Sequence, residues 1–448
     1  MWRHASRPRP NWEQTVIAQG LVFPHTQLAD GTSLPYWNET AWYEFTMEEV
    51  LALEAATEEL WAMCLDAVGA MARDFDDARL GLPSGTLDLA RESLGRRDPA
   101  VYARFDLRFD PLEDSIKAYE LNGDTPTGLV ETGVAQWRWL EDVMPDVDQW
   151  NSLHDRLVDR WRNLAGSGAL PGGEVSFLYS DADPSGEEYM TTVYMQDTAT
   201  AAGLRTSCFR IDDLGWNEAD REFRDPQDRP VRNVFKLYPW EVMLGEEFGR
   251  HVLGRRERNR VRWIEPAWKV LLSTKALLPV LWQRNPDHRL LLPAYFDNPG
   301  DLTSWVSKPL HGREGDNVNI HLADGTDLLR DGHYGAEGWV YQAYAPPPSF
   351  EGNHVVLGSW IVDGEAAGML VRESDGVVTD YYSRVVPHAI GDGLSPDEAQ
   401  AALWRAERTP NQPPAVADGP AVPPLPRLDG STATHAVDFG AGSGRPAD

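Results

Sequence analysis

The sequence predicts an α+β chain with a parallel α/β portion in its middle and antiparallel strands toward its end. Three observations carry this expectation. From residue 175 onward, strand-like and helix-like patterns alternate in the rhythm of βαβ units, which build parallel sheets. Past residue 305 strand signals dominate, over 339–344, 354–362, 366–372 and the 377–382 region. Ahead of both, residues 46–72 place Val50, Leu51, Leu53, Leu60, Met63 and Leu65 as the apolar stripe of one long helix.

Thr46 and Glu49 stand three apart at the head of that helix, the spacing of a capping box. A second helix covers 87–94. Residues 101–122 read as a hairpin. In its first strand Arg104, Asp106 and Arg108 point one way and Phe105, Leu107 and Phe109 the other. The turn-like 110–114 leads into 115–122, which sets Glu120 and Asn122 on one face. Thr125-Pro126 has the form of a helix start, with Pro at the first helical position and Thr125 as cap. That helix is expected to run to about residue 143 and to bury Leu129, Val134, Trp137 and Leu140. Its first turn would offer N–H groups beside Glu120 and Asn122. In the middle portion 175–179, 206–211 and 234–238 are strands, and 187–203 is a helix ending on Gly203. Residues 265–282 read as helical despite Pro279.

At 448 residues the chain can bury a substantial core, as one large or two to three smaller domains. Sub-lobes are expected at about 1–170, 171–260 and 261–408. Past residue 408 Pro, Ala, Gly, Asp and Thr dominate, so 409–448 is expected to be a disordered tail.

Asp and Glu number 70 against 41 Lys and Arg, a net charge of −29. Nucleic-acid binding needs a basic face and is not expected; an acidic field attracts cationic amines instead. The only cysteines are Cys64 and Cys208, so there is neither a disulfide framework nor a cysteine-rich metal site. Each reads as a buried apolar thiol. His311, His354 and His388 are scattered and give no zinc spacing. Arg3, Arg7 and Arg9 are followed by no apolar stretch, and there is no run of about 18 apolar residues. Neither a signal peptide nor a membrane partner is expected, and the expected compartment is the cytoplasm.

Two segments carry chemistry. If the hairpin strands pair, Arg104, Asp106, Glu120 and Asn122 converge on one surface. Carboxylate and amide oxygens suit Mg²⁺ held alongside substrate phosphates, and an Arg suits a phosphoryl group. A solvated face is the competing reading. The second segment, 305–318, brings Lys308 into a loop with Gly312, Arg313 and Gly315. Glycines let backbone N–H groups approach an anion, and Lys is a point charge for phosphate. The order is not that of a Walker loop, and an ordinary hairpin loop accounts for this segment alone about as well.

Arg104-Phe105-Asp106 followed by Lys117-Ala118-Tyr119-Glu120-Leu121-Asn122-Gly123-Asp124-Thr125-Pro126-Thr127 resembles the glutathionylspermidine synthase family. So do, in the family's order, Lys236-Leu237-Tyr238-Pro239-Trp240-Glu241, Glu265-Pro266-Ala267-Trp268-Lys269 with 275–282, the Lys308 loop, Gly358-Ser359-Trp360, Val371-Arg372-Glu373 and Val386-Pro387-His388. The resemblance runs from about Trp12 to Ile390. It implies an ATP-grasp fold, with an antiparallel nucleotide cradle between helices. The implied enzyme is an ATP-dependent ligase that joins a small-molecule carboxylate, glutathione-like, to a polyamine-like amine.

Carried over by position, Asp106, Glu120 and Asn122 would hold Mg²⁺ on ATP. Arg104 would stabilise the transferring phosphoryl group, and Arg372 the phosphates or the acyl phosphate. Lys275, Lys308, Gly315 and Gln342 would contact ATP, Gln342 near adenine. Thr125, Glu187, Glu188 and Glu241 are candidates for the acid and amine substrates. For Glu187 and Glu188 two readings stand level, a polyamine-holding pair and ordinary first-turn helix acids. Lys275 also reads as a helix-surface lysine, Arg372 as the partner of Glu373 or Glu365, and Glu241 as a surface charge. No counterpart of the bifunctional members' amidase domain is expected before Trp12, and Asn-Ala-Asp of the family is Asn122-Gly123-Asp124 here. Two other classes are compatible with the composition: a non-catalytic nucleotide-binding relative, and a carbohydrate-binding or carbohydrate-hydrolysing protein suggested by many Trp and carboxylates.

Overall fold

Alternating apolar and polar residues over the hairpin build the centre of the fold. Strands Tyr102–Asp110 and Ser115–Asn122 pair antiparallel. Asn353–Val362 pairs with the first of them, and Glu365–Ser374 and Arg384–Val386 continue the sheet outward, all antiparallel. Phe105, Leu107 and Phe109 enter the main core with Val50, Leu53 and Leu60 of the long helix. The polar face is covered too: Arg104, Asp106 and Arg108 are each only 7% exposed. A solvated face would leave such side chains in water, so this polar face is not an ordinary solvated one.

The computed structural model describes residues 1–28, 31–182, 185–254 and 261–391. The expected tail, 409–448, lies outside the described residues. The described residues fall within one compact unit. No helix among them is long and apolar enough to cross a membrane.

A second sheet is wholly antiparallel, in the order Ala294–Phe296, Trp339–Ala343, Trp305–Pro309, Asn319–His321, Asp327–Leu328. It carries Gln342 and Lys308. The expected βαβ portion is a four-stranded parallel sheet in the order Arg262–Ile264, Asn233–Leu237, Glu174–Tyr179, Arg205–Arg210. Helix Glu187–Ala201 joins its Glu174–Tyr179 and Arg205–Arg210 strands, and Gly203 follows it at φ +88°, as a helix end requires. Trp161 of helix Leu153–Gly166 packs edge-on against Phe177 and Phe235 of this sheet. Trp2–Ala5, Ala41–Phe45 and His388–Ile390 form a further three-stranded sheet.

The long helix spans Met47–Asp74 and has the full capping box at Thr46 and Glu49. Leu51 and Leu65 are exposed, however. Each follows a buried stripe position, Val50 or Cys64, and is therefore rotated about 100° off the core face. Cys64 is buried and Cys208 only half-buried. Burial raises both thiols, Cys208 to about 12, so neither is a ready nucleophile.

Three sequence expectations are corrected. No helix starts at Thr125, and Thr125 does not cap one. Helical structure begins at Leu129, passes through a wide turn at Glu131–Ala135, and continues as Gln136–Val143. Tertiary bonds hold the preceding stretch: the Asp124 carboxylate accepts from Lys236 Nζ at 2.8 Å and from Trp240 N at 3.0 Å, and Gly128 turns at φ +94°. Trp139 is consequently buried fully, while Val134 and Trp137 are only partly covered. The expected helix over 265–282 breaks at Thr274, giving Ala267–Lys269, Val270–Ser273 and Leu277–Arg284. Pro279 is innocent of this; it is the third residue of the last helix, where no intrahelical donor is lost. Finally, 377–382 is a loop. Asp380 N donates to Ser383 Oγ at 2.9 Å and Tyr382 N to Asp380 Oδ1 at 3.0 Å, local bonds that replace a ladder.

Candidate active site

The polar face of the central sheet opens into a cavity of about 910 Å³. Every candidate named from the sequence lines it: Arg104, Asp106, Glu120, Asn122, Lys275 and Lys308 on one part, Gly315, Gln342 and Arg372 beside them, and Thr125, Glu187, Glu188 and Glu241 along the rest.

Register explains the catalytic-looking cluster. Arg104 lies opposite Asn122 and Asp106 opposite Glu120. On the other side Asp106 faces Gly358, and Arg372 lies one strand further, opposite Val356. Because Gly358 has no side chain, guanidinium groups can converge over it. Arg372 Nη2 reaches Asp106 Oδ2 at 2.6 Å, and Arg104 Nε donates to Asp106 Oδ1 at 3.2 Å. Burial would raise the Asp106 carboxyl, but Arg372 and Arg104 outweigh it and hold it below the ordinary range. The Arg372 Nε is buried and has no hydrogen-bond partner. Its sequence-level alternatives, pairing with Glu373 or Glu365, are not what the structure shows: Glu373 binds Arg3 and Tyr43, and Glu365 binds Arg156.

Two lysines approach from the second sheet and the helix break. Lys275 is no surface residue. The break at Thr274 turns it inward, where its N donates to Leu310 O at 2.8 Å and its Nζ to Gly312 O at 2.9 Å. Lys308 Nζ donates to Tyr119 O at 3.0 Å. The two ammonium groups stand 3.7 and 3.8 Å from Glu120 Oε2. Burial pulls the Lys308 ammonium down to about 8, against the opposing pull of Glu120. Gln342 is buried and donates from Nε2 to Ala118 O at 3.2 Å. Gly315 has φ +75°, and a Cβ there would meet Thr379 O at 2.8 Å, so only glycine lets this loop turn against 377–382. Thr125 Oγ1 accepts from Arg313 Nη2 at 3.0 Å.

A model of the glutathionylspermidine synthase preATP-grasp family matches residues 3–391. The chain belongs to the glutathionylspermidine synthase family. It is 37% identical over 392 residues to a Haemophilus influenzae protein provisionally named acid–amine ligase, covering 85% of this chain and 97% of that one. It is 27% identical over 333 residues to the trypanothione synthetase of Crithidia fasciculata, covering 68% of this chain and 50% of that protein. It is 27% identical over 384 residues to the bifunctional glutathionylspermidine synthetase/amidase of Escherichia coli, covering 78% of this chain and 60% of that protein. The chain thus spans nearly all of the first relative and a half to three-fifths of the other two.

Membership gives the chain the ATP-grasp fold and an ATP-dependent ligase class. The structure adds residues that local sequence reading passed over. Asp124 and Lys236 form a fully buried ion pair beneath the cavity, with Lys236 Nζ 4.6 Å from the Trp240 ring. This pair fixes the N-terminus of helix Trp240–Gly245 and thereby the adjacent Glu241. Both residues sit inside family motifs, but 112 positions separate them, so no spacing rule joins them.

Gly358 is the tightest point of the cluster. A Cβ there would lie 2.9 Å from Arg104 Cδ and 3.3 Å from its Nε. Gly358→Ala is therefore expected to displace the guanidinium by a fraction of an ångström to an ångström and to lower turnover by about 100-fold. The fold should persist, because the strand keeps its ladder. Steady-state phosphate release and a thermal melt check this; wild-type turnover would show that Arg104 shifts without cost.

Proposed function

We propose that this chain forms an amide between a peptide or amino-acid carboxylate, glutathione-like, and a polyamine-like amine, consuming ATP through an acyl phosphate. The observation that carries this reading is the Asp106 carboxylate clamped between two guanidinium groups, one with a buried Nε lacking a partner. Donors of that kind suit an anionic group that develops charge during transfer. A carboxylate is a poor electrophile. Its oxygen takes the γ-phosphoryl group of ATP, releasing ADP, and the amine then displaces phosphate from the acyl carbon.

In this reading Lys275 and Lys308 grip the phosphates, the Gly315 loop approaches them with main-chain N–H groups, and Gln342 borders the base. Arg104 and Arg372 neutralise the transferring group. Such transfers depend on positioning and charge more than on covalent help from the protein. The donor set also fits Mg²⁺: two carboxylates and an amide oxygen, with Glu120 held only at ion-pair distance and partly open to the cavity. Asp106, Glu120 and Asn122 would hold the ion, which when bound neutralises phosphate charge and orients the phosphate oxygens. Glu187, Glu188 and Glu241 suit a cationic amine, and Thr125 the acid substrate. The cytoplasm, where ATP and small peptides are plentiful, is the proposed location. A carbohydrate function leaves the two inward lysines unexplained.

The test is a screen of peptides crossed with amines, with nucleotide products separated by chromatography. ADP and phosphate, formed only when both substrates are present, are the expected result. AMP and pyrophosphate as main products would refute the mechanism.

A further inference from the structure

Resting on the ligase reading above, we propose that Tyr36 and Glu131 form a proton relay that deprotonates the incoming ammonium group before it attacks the acyl phosphate. Tyr36 lines the same cavity as Arg104, Glu187 and Arg372. Its ring packs against Phe23, with centroids 4.9 Å apart. The Tyr36 hydroxyl donates to Glu131 Oε1 at 2.7 Å.

Glu131 is 0% exposed, and its second oxygen, Oε2, has no hydrogen-bond partner. An ionised carboxylate so placed is expensive. Holding the Tyr36 ring would need only a neutral acceptor, so packing alone does not explain an acid here. Glu131 also opens the wide turn Glu131–Ala135, a local form that recurs at functional sites. The turn is pinned in place: Trp360 Nε1 donates to Thr132 Oγ1 at 2.9 Å, and Asn151 Nδ2 to Thr132 O at 2.6 Å.

The charged groups bearing on the pair come from several elements. Glu187, on the first turn of its helix, and Arg372, on the central sheet, act on Tyr36; Arg104 acts on Glu131. The phenol thus shares the cavity, and interacts electrostatically, with a carboxylate suited to the amine and a guanidinium suited to the acyl phosphate. Burial lifts the Glu131 carboxyl above its ordinary range, against the Tyr36 hydrogen bond and Arg104. A raised carboxyl is a better proton acceptor near neutral pH.

The step balances as follows. A proton leaves the ammonium nitrogen for Tyr36 Oη while the Tyr36 hydroxyl proton passes to Glu131 Oε1. The ammonium becomes an amine with a lone pair, and the carboxylate becomes a carboxylic acid. The lone pair forms the C–N bond, and the C–O bond to phosphate breaks with its electron pair on the phosphate. The nitrogen's remaining extra proton leaves with that phosphate, and Glu131 later returns its proton to solvent. Glu131 must be ionised at the start, so the rate falls as pH drops through its raised value.

The experiment compares two nucleophiles in Glu131→Gln, which keeps shape and still accepts from Tyr36. An aliphatic diamine is an ammonium ion near neutral pH and needs deprotonation. Hydroxylamine is largely neutral there and yields an acyl hydroxamate directly. Loss of a general base should lower diamine ligation by about 100-fold near neutral pH, with recovery as pH rises toward the amine's own value. Hydroxamate formation should stay within about threefold of wild type, and the acid limb of the diamine profile should move from the Glu131 value up to the amine's own value. Tyr36→Phe, on the cavity wall, should give the same split and serves if the buried variant folds poorly. Equal losses with both nucleophiles, or no loss with either, would overturn the relay. A wild-type protein that makes neither product nor ADP from any acid would instead overturn the ligase reading and the relay with it.

Discussion

Replacing Arg372 by alanine is expected to lower turnover by about 100- to 1000-fold, the range seen when one preorganised donor to a developing charge is removed. The reason lies in the sheet. Arg372 reaches Asp106 through Nη2 and keeps Nε without a hydrogen-bond partner in a buried position. That donor is available to a group that arrives with substrate. Arg372→Lys should recover little, because an ammonium group cannot reproduce a planar fork. Steady-state phosphate release measures the effect, and ATP binding by calorimetry separates transition-state from ground-state loss. Turnover within about threefold of wild type in Arg372→Ala, with unchanged ATP affinity, would remove this residue from the chemistry.

Lys236→Met should destabilise the protein by about 3–5 kcal/mol, since it strands a buried carboxylate without its partner. Both members of the Asp124–Lys236 pair are sealed from water, at 2% and 0% side-chain exposure. Burial pushes the Asp124 carboxyl up and the Lys236 ammonium down, each opposed by the other. The double variant Lys236→Met with Asp124→Asn should recover part of the loss, because an amide is cheaper to bury than a lone charge. Urea unfolding of the four proteins in the double-mutant cycle gives the coupling directly. A loss below about 1 kcal/mol in Lys236→Met would place the pair with weak surface bridges.

These two residues also mark what was legible in the sequence. The hairpin could be read because strand alternation and a short turn are local: Arg104, Asp106, Glu120 and Asn122 meet across one ladder, as their spacing predicted. The parallel portion and the long helix were legible for the same reason. Arg372 could be placed on a strand, but its convergence on Asp106 depends on strand order, which no local pattern encodes. Tyr36 and Glu131, separated by 95 positions, belong to that class as well. Thr125-Pro126 misled because the dipeptide carries a genuine helix-start signal that tertiary bonds to Asp124 override. Lys275 looked like a surface residue because the apolar periodicity runs on through Thr274, whereas the main chain breaks there to bond Leu310.

That main-chain bond bears on how the enzyme can move. Lys275 N and Leu310 O are joined, Leu310 N bonds Gly338 O at 2.9 Å, and Leu310 directly follows the strand Trp305–Pro309 that carries Lys308. The two lysines are therefore tied to each other through the main chain. Arg104, Asp106 and Arg372 belong to the other sheet. The seam between the sheets is the edge strand Ser115–Asn122, where Ala118 N bonds Leu290 O at 2.8 Å, Gln342 Nε2 bonds Ala118 O, and Lys308 Nζ bonds Tyr119 O. A change in the distance between the two lysines and the Arg104–Asp106–Arg372 cluster must therefore strain or break the bonds along that strand, which tie the two sheets together.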